Sequence, residues 1–566
     1  MRTKNPPMRR SVSGHRALAF LVSLLVGCAS SAGAPRRART PAPGHSPVVV
    51  LLVVDQLSAW AAEERLPTLP EDGGFRRLAR DGMWIRALDH GYAVTDTAPG
   101  HARIATGAPP AESGIFANET LTASGDSVSI LRDEGTRLVA PSGVLDRPGS
   151  SLARLRVPTL ADRLRERAPG SVIVSLSLKD RGALFGGGRR PDAVLWFEPA
   201  VDSFVTSTAF ADTFPEWARA EGSPGAIAAR RTVPWTLADE ALVRSHCTRP
   251  DDAAGEGDLE GWGTTFPHDF AHARNPAKAF RASPFADEAL FALAGDAIEA
   301  LHRPDRTLFL HVSLSSYDYV GHVFGPDSFE AWDELVRLDR SLADFLALLD
   351  RRFGRGGYSL LLTADHGSSF LPEDDLSSRA FCAQGVDDLY ERPCAGARRV
   401  EPHALARALE GVADATLGEG EWVLGVSDPY VVLTEDARAL PAARYRTLVE
   451  ALVRALLATP GIRDAFDTSD ASALASRSEA IRRAVRPEGG DLFAVLDRGA
   501  FFDPEYVTGF GSGHGSAYAH DRRIPLFGLL PSGFPLERAM RPGSTVPDSS
   551  LVFGLADRLL GGDGRR

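Results

Sequence analysis

The chain is poor in cysteine: it has four in 566 residues, and none forms a Cys-x-x-Cys pair. A thiolate metal site of the usual spacing is thereby excluded, so any metal has to be held by histidine and carboxylate. Positive charge is not in excess either. A formal net charge of −11 argues against nucleic acid as the main partner, while leaving room for one local basic pocket. The N-terminal apolar run, Ala17 to Gly27, is shorter than the ~20 residues that a membrane-spanning helix needs. There is no internal repeat. What is present is an ordinary globular composition, 44% hydrophobic, with enough chain for two or three domains or one large domain carrying insertions.

Arg2, Lys4, Arg9, Arg10 and Arg16 precede the apolar run, the arrangement of a secretory signal over residues 1–27. The run closes in Leu25-Val26-Gly27-Cys28, which resembles the lipobox of bacterial lipoproteins and implies a lipidated Cys28; ordinary cleavage nearby is the alternative. Loss of residues 1–27 removes five cations and leaves −11 − 5 = −16. An exported, periplasmic or cell-envelope protein is expected. Residues 28–46, rich in Ala, Pro, Arg and Ser, read as a flexible tether. Of the remaining cysteines, Cys382 and Cys394 are spaced to permit a disulfide in an oxidising compartment, which would leave Cys247 free.

The folded body begins abruptly at Val48–Val54, an unbroken run rich in β-branched residues, as expected of a strand buried on both faces. Similar runs follow at Val172–Leu178, Leu308–Leu314, Leu360–Thr363 and Ile524–Leu530. Helical periodicity separates several of them, most clearly over Ser151–Arg167 and Phe329–Arg352. Buried strands alternating with helices predict an α/β fold with a largely parallel sheet. Its catalytic core is expected in three parts, 47–194, 291–374 and 506–566. Insertions over 195–290 and 375–505 would build a cap.

The strand ends carry the chemistry. The first run finishes at Asp55, the third leads into Asp318 and His322, the fourth into Asp365-His366, and His514 lies just ahead of the last. In a parallel sheet, sites gather beyond the carboxyl ends of the strands. Any one of these residues alone reads as a turn, a helix cap or a surface pair. Together, three aspartates and three histidines suit two zinc ions of open coordination. Between them, Pro99 and Gly100 would open a helix just after Thr97, placing its hydroxyl at a helix N-terminus, which favours a bound phosphate. Thr95 is the rival hydroxyl, and simple N-capping is the plain alternative for Thr97.

The ordered set Asp55, Thr97-Ala-Pro-Gly-His, Asp318-x3-His322, Asp365-His366 and His514 resembles the alkaline phosphatase superfamily, in its type I phosphodiesterase/nucleotide pyrophosphatase branch. Two segments are similar to the PafA-like alkaline phosphatases within it: Gly114–Glu119, with Asn118 as phosphate contact, and Lys179-Asp180-Arg181, the K-x-R pair. The resemblance implies a three-layer sandwich with a cap and a two-zinc site. One zinc would be held by Asp318, His322 and His514, the other by Asp55, Asp365, His366 and the Thr97 oxygen. Thr97 would be the nucleophile, passing through a phosphothreonine intermediate, with Asn118, Lys179 and Arg181 on the phosphoryl oxygens.

Two cations against the phosphate favour a monoester dianion over a diester, so small phosphomonoesters are the expected substrates. Standing alone, Lys179 and Arg181 would read as solvated loop charges. A phosphodiesterase or pyrophosphatase on the same metals is the nearest rival. A sulfatase is discounted, because Cys247-Thr248-Arg249-Pro250 lacks the required C/S-x-P-x-R order. A catalytically dead binding lipoprotein is the rival from another class.

Overall fold

The computed structural model describes residues 46–374, 397–504, 506–536 and 546–565. Cys28, Cys382 and Cys394, and with them the signal and lipidation expectations, lie outside the described residues. Ten strands form the main sheet: β1 (Val48–Val54), β2 (Met83–Asp89), β3 (Arg132–Ala140), β4 (Gly143–Ser150), β5 (Val172–Ser177), β6 (Ala193–Glu198), β7 (Ser203–Ser207), β8 (Leu308–Leu314), β9 (Ser359–Thr363) and β14 (Arg523–Leu529). Their order is β2-β14-β9-β1-β8-β5-β6-β7-β3-β4. The middle five, from β9 to β6, run parallel, and antiparallel pairs extend both edges.

Alternation along a strand shows why there are three layers. Val194 and Trp196 of β6 pack into one cluster with Ala102 and Phe185, while Leu195 and Phe197 pack into another with Leu293 and Leu338. Successive side chains of a strand point to opposite faces, so helices cover both. On the first face lie α1 (Thr97–Thr106) and α3 (Asp180–Gly187); on the second lie α4 (Pro284–Leu301) and α6 (Phe329–Phe353). This is the expected α/β sandwich.

Register then levels the strand ends. Val54 of β1 pairs with Leu314 of β8, Val53 with Thr363 of β9, and Ser313 with Ser177 of β5. The residues that follow, Asp55, Ser315, Ala364 and Leu178, therefore leave the sheet at one edge. β14 is antiparallel to β9, so its N-terminal end, towards which the His514 segment leads, lies at that same edge.

Residues 397–504 form a second unit with its own core, which includes Leu433, Leu452 and Leu492. It holds a four-stranded sheet of β10 (Val423–Ser427), β11 (Tyr430–Leu433), β12 (Ile462–Asp467) and β13 (Leu492–Leu496). Helices α7 (Pro402–Leu417) and α8 (Ala442–Ala458) pack against it. The interval 195–290 is organised differently from the cap expected there. Most of β6 and all of β7 fall within it and extend the main sheet, so its start is structural core.

The helix expected over Ser151–Arg167 is half that length. Its first residues instead form a turn, with Leu155 N–H donating to Leu152 O at 3.1 Å, and Val157, which precedes Pro158, is disfavoured from helical backbone. The helix, α2 (Leu160–Arg167), starts at Thr159, whose side chain accepts from Asp162 N–H while Asp162 accepts from Thr159 N–H. This reciprocal cap satisfies two N–H groups at a fully buried position. Thr159→Ala should lower unfolding stability by about 1 kcal/mol; an unchanged chemical-denaturation midpoint would show that the cap contributes nothing.

Candidate active site

Asp55 follows β1 directly, and its N–H donates to Leu314 O at 2.9 Å, which fixes it beside the end of β8. Gln56 next to it takes a left-handed backbone (φ 68°), a turn that non-glycine residues rarely adopt. The turn lets Gln56 bridge two other carboxylates. Its N–H donates to Asp365 Oδ1 (3.2 Å), and its side-chain amide donates to Asp318 Oδ1 (2.9 Å). Asp318 and His322 lie one turn apart on α5 (Ser316–Phe324), with His322 Nε2 3.2 Å from Asp318 Oδ1.

The three histidines share one feature. Nδ1 of His322 lies 2.9 Å from Ser512 O, Nδ1 of His366 lies 2.9 Å from Gly367 O, and Nδ1 of His514 lies 3.1 Å from Thr95 O. A carbonyl only accepts, so each Nδ1 donates a proton, and each ring turns its Nε2 inward, where a lone pair is available to a cation. Inward, His514 Nε2 faces His322 Nε2 at 3.2 Å, and His366 Nε2 lies 3.3 Å from Asp55 Oδ1. Lone pairs facing lone pairs and carboxylates in a buried site call for a cation.

Ionisation agrees. Burial opposes a charge on His366, yet Asp365, Asp55 and Asp318 outweigh it and push the ring up to about 10. Burial also works against ionised Asp318, but His322, Lys179 and His514 hold it well below the usual carboxylate range. No hydrogen-bond donor is aligned on either oxygen of Asp55, although the Lys179 ammonium lies 2.7 Å from Oδ2. Among the described residues, two groups are close enough to hold a metal ion: Asp318, His322 and His514, and Asp55, Asp318 and His366. Asp318 belongs to both. Asp365 stands alongside, its Oδ2 3.5 Å from His366 Nε2 and 3.0 Å from His101 Nδ1. The donor set fits a pair of divalent cations with N/O ligands.

Thr97 is the first residue of α1, and Asp96 rather than Thr97 is the capping residue. Its hydroxyl is thus not spent on the cap; it lies 3.4 Å from His366 Nε2 and 3.2 Å from Lys179 Nζ. Thr95 turns away and donates to Ser516 O at 2.7 Å. Asn118 Oδ1 accepts from Ala98 N–H at 2.8 Å, which places the amide beside Thr97. Lys179 ends the β5 strand segment and is buried among the acids, with Asp318 and Asp55 pushing it up against the effect of burial. Arg181, two residues on, lines the adjoining cavity together with Lys179.

That cavity measures about 340 Å³, with Thr97, Asn118, Arg181, His322 and His514 on its walls. Residues of the 397–504 unit, including His403, Asp428 and Asp503, close its outer side. All the expected site residues therefore converge, with Arg181 farther out and Asp365 beside the tighter groups. Gln56, His101 and Asp96 are the participants not anticipated. Asp96 Oδ1 lies 3.3 Å from His514 Nδ1, and His101 Nε2 lies 2.9 Å from Ser313 Oγ.

Residues 49–446 match the family model described as type I phosphodiesterase/nucleotide pyrophosphatase. The chain belongs to that family. Among relatives of this phosphodiesterase-family chain, alkaline phosphatase PhoV of Synechococcus elongatus is 28% identical over 524 residues, covering 89% of this chain and 90% of PhoV. Alkaline phosphatase PafA of Elizabethkingia meningoseptica is 34% identical over 340 residues, 58% of this chain and 61% of PafA. A crystal structure of wild-type alkaline phosphatase PafA superposes with a TM-score of 0.76 at 24% identity, covering 91% of this chain and 96% of that one, and shares its fold. The chain thus falls within the alkaline phosphatase superfamily, as its motifs imply.

Gly100 shows how closely α1 approaches the site. A Cβ there would sit 2.3 Å from Asp365 O and 2.8 Å from Asp365 Cβ. Gly100→Ala should push Asp365 and α1 apart and weaken divalent-metal affinity by about tenfold or more. Unaltered affinity by titration calorimetry would show that this contact does not position the site.

Proposed function

We propose that the chain is an exported alkaline phosphatase, hydrolysing phosphate monoesters at a two-zinc site with Thr97 as nucleophile. The observation that carries the reading is the set of inward Nε2 lone pairs and buried carboxylates next to the Thr97 hydroxyl. Asp318, His322 and His514 would hold one zinc; Asp55, Asp365, His366 and the Thr97 oxygen would hold the other. When bound, the pair supplies positive charge that lowers the pKa of a coordinated hydroxyl and stabilises a departing oxygen.

The chain's own residues do the rest. Thr97 Oγ1, having lost its proton, attacks phosphorus from the N-terminus of α1, where the helix dipole favours the phosphoryl group. The P–O bond to the alcohol breaks, and the alcohol leaves carrying a proton. Water then cleaves the phosphothreonine ester, restoring Thr97 and releasing inorganic phosphate. Asn118 and Arg181 hold the equatorial oxygens, and Lys179 offsets the charge that gathers there.

The named activities of PhoV and PafA support this reading over a diesterase on the same residues. So does the placement of two cations at the cavity, since a diester has one fewer charged oxygen to offer them. No helix among the described residues is long and apolar enough to cross a membrane. Export therefore rests on the basic, apolar N-terminus, with lipidated Cys28 as its anchor. Small phosphomonoesters are the substrates, and nucleic acid is not a partner.

Metal analysis of the purified protein should find about two zinc ions per chain. Thr97→Ala should retain them while losing activity by about a thousandfold or more; substantial turnover of p-nitrophenyl phosphate by that variant would exclude the threonine mechanism. Replacing Lys179 and Arg181 together by Ala should reduce monoester cleavage at least about tenfold more than cleavage of bis-p-nitrophenyl phosphate. Equal losses would leave the diesterase reading in its place.

A further inference from the structure

A second cavity, of about 320 Å³, lies on the other side of Lys179 and Arg181. It shares Ser127, Lys179 and Arg181 with the catalytic cavity, so the two spaces meet at the K-x-R segment. Its distinctive wall residue is Arg281, at the end of the short helix Pro276–Arg281. The Arg281 guanidinium lies 4.4 Å from the Tyr319 ring centroid and 5.7 Å from that of Tyr506, and its Nη1 is 3.4 Å from Tyr319 Oη. Among the described residues, no carboxylate lies within ion-pair distance of it.

Arg181 is nearly as uncompensated. Its one ion-pair contact is with the adjacent Asp180, at 3.9 Å, and its buried Nε has no hydrogen-bond partner. The acids on this wall are Asp180 and Glu198. Asp180 is occupied by the hydroxyls of Ser129 and Ser150 and by Arg181 N–H, while Glu198 accepts from Ala200 N–H. Two guanidinium groups thus line one cavity, Arg281 with no ion pair among the described residues and Arg181 with only the long contact to Asp180, which two serine hydroxyls already occupy. Such an arrangement is poised for an anion, and a planar guanidinium suits the paired oxygens of phosphate or carboxylate.

We propose that this cavity is a second anion subsite of the catalytic pocket, in which Arg281 binds a phosphate or carboxylate that the substrate carries in addition to its ester phosphate. The inference rests on the monoesterase reading and narrows it. The preferred substrates are compact phosphomonoesters with a second anionic group, one end held at Thr97 and the other beyond Arg181. Stacking on Tyr319 fixes the Arg281 fork in advance, so little freedom is lost on binding.

The test compares glycerol phosphate with glycerol bisphosphate, a pair differing by one phosphate, in the metal-loaded wild type and in Arg281→Gln. Wild type should favour the bisphosphate by about tenfold in kcat/KM, expressed in KM. Arg281→Gln should erase that preference while changing glycerol phosphate and p-nitrophenyl phosphate by less than about twofold, and Arg281→Lys should restore part of it. Equal kcat/KM for the pair in wild type would overturn the proposal. So would a parallel loss on all three substrates, or an equal weakening of inhibition by inorganic phosphate, since either would place Arg281 on the ester phosphate itself. Activity of the wild type on p-nitrophenyl phosphate separates the outcomes: its absence defeats the monoesterase reading, whereas its presence without a bisphosphate preference defeats the subsite alone.

Discussion

Asp55, Asp318 and Asp365 are buried among three histidines whose Nδ1 atoms are held by backbone carbonyls and whose Nε2 atoms point inward. Burying unpaired charge is costly, so the protein has to supply compensation. Lys179 supplies part of it, lying against Asp55 and Asp318. Gln56 supplies a further part through hydrogen bonds to Asp318 and Asp365, and His101 Nδ1 lies 3.0 Å from Asp365 Oδ2. What they leave is directional: the Nε2 atoms of His322 and His514 point at one another with nothing between to donate. Only a cation turns that contact from repulsive to favourable. The positions of the backbone carbonyls that hold each Nδ1 are therefore as much part of the site as the imidazoles.

Those carbonyls belong to segments far apart in sequence, and sheet register brings them together. Parallel pairing of β1 with β8 and β9 ends all three strands at one level, so the loops after them open into the same space. The antiparallel entry of β14 delivers His514 to that edge from the opposite direction. A slip of one residue in any pairing would turn a ligand-bearing residue to the other face of the sheet. The fully buried strands thus do more than fill the core. Burial on both faces fixes where each of them ends.

The same property made the central strands legible in sequence. Val48–Val54 coincides with β1 from end to end, because that fully buried run stops where the first polar residue appears, and Leu308–Leu314 coincides with β8 although His311 and Ser313 lie within it. Strands at the margins gave no such signal. β3 and β4 carry Arg, Asp and Gly on exposed positions, and most of β6 and all of β7 were absorbed into an expected insertion. Direction was equally invisible: composition marks Ile524–Leu530 as a strand but not as antiparallel. In the site, the aspartates and histidines with a chemical signature near strand ends lie together, and Thr97, singled out over Thr95 mostly by the family resemblance, has its hydroxyl beside them while Thr95 turns to Ser516 O. Gln56 and His101 were not, since they act by hydrogen bonding to other site residues and nothing in their residue type announces it. Nor could spacing show that Asp318 stands close enough to both histidine groups to serve either.

Lys179 and Arg181 illustrate why a shared motif does not mean a shared role. They sit two apart, and an extended segment would carry them on one face. Lys179 instead caps the start of α3 while Arg181 lies within its first turn, so the two side chains diverge. The compact ammonium goes inward, where Asp55, Asp318 and Thr97 Oγ1 surround it and where a broad, planar group would have to give up most of its donors. The guanidinium stays at the junction of two cavities, with donors available to a ligand from either side. Strong hydration and small size suit lysine to neutralising fixed charge, while a rigid fork suits arginine to grasping a mobile anion. The helix that begins between them is what assigns each cation its place.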